Sequence, residues 1–303
     1  MTDLKPYQPP AELVTHVTAI CGDAGAAWLA DLPRIVSELE EKWSVKTEAA
    51  FEKGEFNYVA PARSATIDAV LKISPPYRTI EIFAEAEFLR ARGGSGAARL
   101  LDVDREHQAI LIERERPGDS MDVHLADDPF ACVEPAIDVL KAIILPPPSS
   151  EVDVQSLDAW FESFLRFRET AFRQDYGERA AAIYEKLRID TDRIFYIHGD
   201  FHPGNVVSSG DGFIAIDPKG LIGHLAYDIS VFLNNLHWWQ KGKAGVKENL
   251  FTAAESFAKA FAIDGWLIRE AAFAGMVIGA WWTFDEMPEQ YNNEVALADI
   301  WEV

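Results

Sequence analysis

The chain has 303 residues, of which 49 % are apolar and 25 % charged, and its formal net charge is −21. A chain of this length and composition is neither disordered nor in need of disulfides or a structural metal to fold. The charge argues against a nucleic-acid or anionic-membrane binder, because phosphates would be repelled over most of the surface, and it suits a cationic partner.

Apolar residues at helical spacing, Leu13, Val17 and Ile20 and then Trp28, Leu32, Ile35 and Leu39, predict helix over roughly the first forty residues. The period then shortens to that of strands at 46–51, 55–62 and 65–73, with turns at Gly54 and at 61–64, and Ser74-Pro75-Pro76 stops the third strand. Residues 79–92 read as a helix with Ile80, Phe83, Ala84, Phe88 and Leu89 on its buried side, closed by Gly93-Gly94-Ser95-Gly96. Two further strands are predicted at 98–102 and 109–113, giving a small antiparallel sheet with one helix inserted after its third strand. Pro117 and Gly118 break the pattern within 114–120, which sets two domains, 1–115 and 116–303. The second is mostly helical, with helices predicted at 129–145, 153–174, 178–187, 226–239, 246–262 and 268–285 and a proline-rich linker at 146–150. Within it, 194–217 stands apart as a strand, a Gly/Asn/Pro-rich loop and a second short strand.

The amino terminus has no apolar run after a basic start, so no signal peptide is expected. The longest apolar run, 271–282, is too short to cross a membrane and reads as a buried helix. Two distant cysteines, Cys21 and Cys132, fit no disulfide or zinc pattern and point to a cytoplasmic protein.

The 194–217 stretch carries the chemistry. It reads His198-Gly199-Asp200-Phe201-His202-Pro203-Gly204-Asn205 and later Ile214-Ala215-Ile216-Asp217-Pro218-Lys219-Gly220. Each Asp follows an apolar strand-like run, and Asn205 lies five residues after Asp200 across a glycine turn, so both can face one cavity. Phosphoryl transfer needs such groups: a carboxylate for the acceptor hydroxyl, and a carboxylate and an amide oxygen for Mg²⁺, which prefers oxygen ligands. Asp-x-x-x-x-Asn followed by a later metal Asp is the spacing of a kinase catalytic loop and magnesium loop. A lone Asp would read as a turn or cap residue; the whole constellation does not. The His198-x-Asp200-x-His202 run also fits a metal-hydrolase ligand set, but no further His-rich segment completes it. In the first domain, Lys72 sits within Ala69-Val70-Leu71-Lys72-Ile73, the strand context of a phosphate-gripping lysine, with Glu81, Glu85 and Glu87 on the following helix as candidate partners and Glu85 the choice.

With these motifs the chain resembles the aminoglycoside phosphotransferase superfamily, and within it the streptomycin 6-kinase and hydroxyurea phosphotransferase family. The resemblance also rests on the 214–223 string, on Leu111-Ile112-Glu113-Arg114 before Pro117-Gly118, and on Gly96-Ala97-Ala98-Arg99-Leu100-Leu101. It implies an α+β, two-lobed protein-kinase-like fold, with a small antiparallel-sheet N-lobe and a larger helical C-lobe. It further implies ATP and Mg²⁺ as cofactors, Asp200 as catalytic base, and Asn205 and Asp217 as magnesium ligands. Lys72 would grip the α/β-phosphates and be held by Glu85, and Ile112, Glu113 and Arg114 would form the adenine-reading hinge. His198 and Asp228 would brace the loop. The sequence departs from the kinase pattern at 52–55, where Glu52-Lys53-Gly54-Glu55 offers one glycine over the phosphates.

The acceptor implied is a small, cationic molecule, most simply an aminoglycoside such as streptomycin. Asn234, Asp285 and Glu286 are candidate contacts, with the tryptophans at 238–239 and 281–282 able to stack on guanidinium groups or, equally, to fill a helical core. The alternatives are a kinase for hydroxyurea or another hydroxylated metabolite, and a non-catalytic kinase-like binding protein, which would have no need of a base and two metal ligands.

Overall fold

The computed structural model describes residues 7–52, 56–76, 79–148, 154–240, 242–286 and 295–302. They fall into two compact units, Met1–Arg116 and Pro117–Val303.

The first unit opens with α1 (Ala11–Trp43), interrupted at Gly22, where φ 52° and ψ −129° leave the helical path. Beyond the break Leu32, Ile35, Val36 and Leu39 are buried against sheet residues such as Tyr58 and Leu71. Ile20, predicted on the buried stripe, is 55 % exposed, because the helix leaves its path two residues later. Among the described helices α1, and not the helix containing 271–282, is long and apolar enough to cross a membrane. Its carboxyl-terminal half is nevertheless spent on this unit's core.

The sheet that covers α1 comprises β1 (Lys46–Thr47), β2 (Tyr58–Arg63) and β3 (Asp68–Ile73), then, after α2 (Thr79–Arg92), β4 (Leu100–Asp104) and β5 (Ala109–Glu113). Its order is β1-β2-β3-β5-β4, antiparallel throughout. β1 is shorter than the predicted 46–51, yet Glu48 N and Phe51 N still donate to Pro61 O and Val59 O, so the chain stays alongside β2. The register sets Lys72 between Val59 and Ile110, in the centre of the sheet.

The second unit begins with β6 (Pro117–Ser120), so the expected break in pattern is itself a strand. Then come α3 (Met121–His124), α4 (Val133–Ile143), β7 (Gln155–Ser156), α5 (Leu157–Phe164), α6 (Gln174–Ile189), β8 (Ile194–Ile197), β9 (Val206–Ser209), β10 (Gly212–Ala215), β11 (Leu221–His224), α7 (Ala226–Gln240), α8 (Val246–Phe261) and α9 (Gly265–Glu286). Two small sheets, β10-β9-β6 and β7-β11-β8, frame the loop between β8 and β9. The helix predicted over 153–174 is broken. Gln155 and Ser156 instead pair with β11, the Ser156 hydroxyl accepts from Ala159 N to start α5, and α5 gives way to a 3-10 turn at Leu165–Glu169. β11 has no sequence signature because its four residues include Gly223, and that glycine is what lets Leu157 of α5 lie against the strand. α7 and α9 pack on each other, while Phe232 of α7 lies against Phe257 of α8, and Phe273 and Trp281 of α9 lie against Tyr176 of α6 and Phe164 of α5.

Candidate active site

The loop after β8 is fixed from below. Gly199 adopts φ 82°, and a Cβ there would press on Leu221 at 2.8 Å, so only glycine makes this turn without strain. Asp228, fully buried in the first turn of α7, accepts the amide N–H groups of His198 at 2.8 Å and of Gly199 at 2.7 Å. Burial pushes its carboxyl up to about 7, with the two amide donors opposing the shift and the Asp200 charge adding to it. His198 is fully buried as well, and burial pushes its imidazole down to about 3, so the ring is neutral. Its Nδ1 accepts from Asp200 N at 3.2 Å, which leaves the proton on Nε2 to be donated to Ile216 O at 2.9 Å. Both ring nitrogens are engaged, so His198 does not belong to a His/Asp metal set. Among the described residues no group of three or more His, Cys, Asp and Glu side chains could hold a metal ion.

Asp200 sits at the rim of this scaffold with 35 % of its side chain exposed. Asn205 ends a single 3-10 turn, Pro203–Asn205, started by the His202 ring, which accepts from Gly204 N at 3.1 Å. The Asn205 amide nitrogen donates to Asp200 O at 3.0 Å and to Asp200 Oδ2 at 3.3 Å, which leaves its Oδ1 as an acceptor. Asn205 O in turn accepts from Ile216 N at 2.9 Å, tying Asn205 to the residue before Asp217. Asp217 is held at φ 58°, a left-handed conformation that Asp tolerates better than most residues. Protein packed around Asp200 raises its pKa; the Asp217 carboxylate adds to this, and His202, Lys219 and the Asn205 amide oppose it. The loop thus presents a carboxylate inclined to take a proton, beside an amide oxygen and a second carboxylate. These two are hard oxygen donors that suit Mg²⁺.

In the first unit Lys72 Nζ bonds Glu85 Oε2 at 2.6 Å, and both side chains are buried. Helix α2 starts at Thr79, early enough to bring Glu85 round, while Glu87 instead pairs with the exposed Arg90. Ile112 lies within β5, opposite Val70 and Leu100. The amide N–H groups of Glu113 and Arg114 donate to Arg99 O at 2.8 Å and Asp68 O at 3.0 Å. Sheet bonds therefore occupy two of the donors that a backbone hinge at 112–114 would use. Of the one-glycine turn, 53–55 lie outside the described residues.

A cavity of about 380 Å³ in the second unit opens onto Asp200. Its wall includes Trp160, Tyr227, Trp238 and Trp282, with Lys219 beside the carboxylate. Asn234 reaches this wall, but its amide donates to Ala272 O at 2.9 Å and accepts from Trp301 Nε1 at 2.9 Å, so it clamps helices rather than offering itself to a ligand. Asp285 is not brought to the cavity: it is exposed at the end of α9 and paired with Arg166 at 3.1 Å. The Glu286 side chain lies outside the described residues. The two adjacent tryptophans divide their roles, since Trp281 is core and Trp282 lines the cavity. Trp160, Tyr227 and Lys219 were not singled out from sequence. A signal was present in Gly275 and Gly279, four apart on α9: Gly275 admits Ser230 and Asn234 of α7 closely, and a Cβ at Gly279 would meet nothing within 4 Å.

Residues 42–286 match the family described as aminoglycoside/hydroxyurea antibiotic resistance kinase. The streptomycin 6-kinase of Streptomyces glaucescens is 28 % identical over 236 residues, 76 % of this chain and 75 % of that protein. The hydroxyurea phosphotransferase of Kitasatospora aureofaciens is 27 % identical over 303 residues, 96 % of this chain and 85 % of that protein. An aminoglycoside phosphotransferase solved as a ternary complex with ADP and hygromycin B superposes with a TM-score of 0.56 at 13 % identity, covering 87 % of this chain and 94 % of its own. The fold is the protein-kinase-like one, with an antiparallel-sheet unit followed by a helical unit.

Proposed function

The chain belongs to the aminoglycoside/hydroxyurea antibiotic resistance kinase family, and from that premise we propose an ATP- and Mg²⁺-dependent phosphotransferase with an alcohol acceptor, a streptomycin-like aminoglycoside. The observation that carries this reading is the Asp200–Asn205 pair, hydrogen-bonded to each other and tied to the Asp217 segment, with Asp200 lining a cavity large enough for a sugar-sized ring. Asp200 would receive the acceptor hydroxyl proton as the oxygen bonds to the γ-phosphorus and the bond to the departing ADP oxygen breaks. Asn205 Oδ1 and the Asp217 carboxylate would hold Mg²⁺, whose role when bound is to neutralise charge on the phosphates. Lys72, oriented by Glu85, would hold the α/β-phosphates, and the backbone of 112–114 would read adenine. His198 and Asp228 touch no substrate in this reading; they hold the loop so that Asp200 needs no reorganisation during transfer. A cytoplasmic site of action fits the free Cys21 and Cys132.

Hydroxyurea is the second reading, favoured by the match to a hydroxyurea phosphotransferase along 96 % of the chain. Incubation with Mg·ATP and each acceptor, read by mass spectrometry, separates the two. Streptomycin gains one phosphoryl group in the first reading, and in either reading chelation of Mg²⁺ or Asn205→Ala abolishes the product. Product formation that survives chelation contradicts the metal assignment.

A further inference from the structure

A site that holds several primary ammonium groups needs carboxylates around it, because each N–H donor taken from water must find an acceptor. Among the described residues lining the cavity, Asp200 is the one carboxylate, and Lys219 brings a positive charge to the same wall. The rest of its polar wall is dominated by aromatic rings. Trp160 meets Trp282 edge to face, centroids 5.7 Å apart and planes at 82°, and meets Tyr227 in the same manner at 6.4 Å and 79°. The Trp160 ring is fixed by its indole N–H, donated to Gln155 Oε1 at 3.0 Å. Trp282 is 42 % exposed, so its ring is open to the cavity, and Gly279 on the same helix leaves space beside it.

Resting on the kinase reading above, we propose that the acceptor is chosen by a weakly hydrated organic cation, a guanidinium or quaternary ammonium group, seated in the Trp160–Trp282–Tyr227 corner, and that primary polyamines are disfavoured. Indole and phenol rings attract a cation through their faces without supplying hydrogen-bond acceptors. A quaternary ammonium has no N–H donor to strand, and a planar, weakly hydrated guanidinium can lay its face on a ring while its edge donors stay in water, whereas a primary ammonium pressed on a ring strands donors that were strongly hydrated. With the cation held against the rings, the hydroxyl is left to face the Asp200 carboxylate that lines the same cavity.

Three alcohols with the same hydroxyethyl arm test this: choline, 2-guanidinoethanol and ethanolamine, titrated by NMR into the full-length Asp200→Asn variant without nucleotide. That variant removes the carboxylate, so the remaining preference reports the rings. Choline or 2-guanidinoethanol is expected to bind at least ~10-fold more tightly than ethanolamine, the size of effect a desolvated aromatic face supplies, and the stronger of the two identifies the cation. Trp282→Leu removes that preference and Trp282→Phe restores most of it. Gly279→Leu, which adds a side chain to open space on a helix and so does not threaten folding, weakens both. Ethanolamine binding as well as the others, or a preference untouched by Trp282→Leu and Gly279→Leu, overturns the proposal. The kinase reading fails separately. Equal phosphorylation of kanamycin and streptomycin keeps the kinase and rejects the cation rule; a binding preference without ADP release from Mg·ATP keeps the rule and rejects the kinase.

Discussion

Residues 198–205 hold their shape through a web of hydrogen bonds, two of them to one buried carboxylate, whereas the cavity beside them is walled by rings held largely through packing. In the loop, Asp228 takes two amide donors, and the His198 ring links Asp200 N to Ile216 O. In the cavity, Trp160, Tyr227 and Trp282 arrive from α5, α7 and α9 and meet edge to face. Hydrogen bonds in a buried network are directional, and removing one partner strands the other. Ring contacts are graded and tolerate changes of shape. The loop should therefore fail abruptly when altered and the cavity gradually.

The sharpest break is Asp228→Ala. It leaves the His198 and Gly199 amides buried without acceptors, a loss of about 2–6 kcal/mol at about 1–3 kcal/mol per group, and turnover is expected to fall at least ~100-fold because Asp200 loses its fixed position. Chemical denaturation and steady-state kinetics check both. Asp228→Asn, which keeps one acceptor oxygen, should fall between this variant and wild type. A kcat within a few-fold of wild type in Asp228→Ala would show that the loop does not depend on that carboxylate. At the cavity, Trp282→Leu is expected to raise the acceptor KM by about 10-fold, within the range for a cation on an aromatic face, with kcat little changed. A loss confined to kcat would place Trp282 in the same class as the loop.

A further effect is one of pH. His198 is held neutral, with its pKa lowered to about 3 from 6.5. The unfolded chain therefore binds more protons at this residue between those values, and the native state loses stability as pH falls through that window. Asn at 198 does not titrate. His198→Asn should thus be less stable than wild type above pH 6.5, and the gap should close steadily as pH drops towards 3. Unfolding midpoints at a series of pH values measure it; a gap that widens on acidification would mean that the ring is not buried neutral. Asp228 acts with the opposite sign, its pKa being raised from 3.8 to about 7. Its contribution is lost as pH rises across that range, and it is common to both proteins in the comparison.

The same contrast explains what the sequence could disclose. Spacing is local information. Asp200 and Asn205 are five residues apart, Asp217 follows a short strand, and the Lys72 to Glu85 interval is set by one helix whose start at Thr79 decides the phase. The succession of strands along the first unit is legible for the same reason, since turns and alternation mark each one, whereas the placing of β5 beside β3 with β4 at the edge is a long-range pairing that no local pattern shows. The cavity wall is not local. Trp160, Tyr227 and Trp282 carry no motif, and helical phase alone does not say that Trp282 faces the cavity while Asp285, three residues on, turns out to Arg166. Asn234 looked like an available amide because nothing in its neighbourhood reveals Ala272 and Trp301 as its partners. β6, β7 and β11 escaped because strands of two to four residues contain too few side chains to show alternation, and their identity comes from pairing with distant segments.

The most direct test of the account is ADP release from Mg·ATP in a coupled assay, with and without streptomycin, in wild type and in Asp200→Ala. The account predicts release that depends on streptomycin and falls at least ~1,000-fold in the variant, since positioning and proton acceptance are lost together. Streptomycin-dependent release that persists in Asp200→Ala would contradict it.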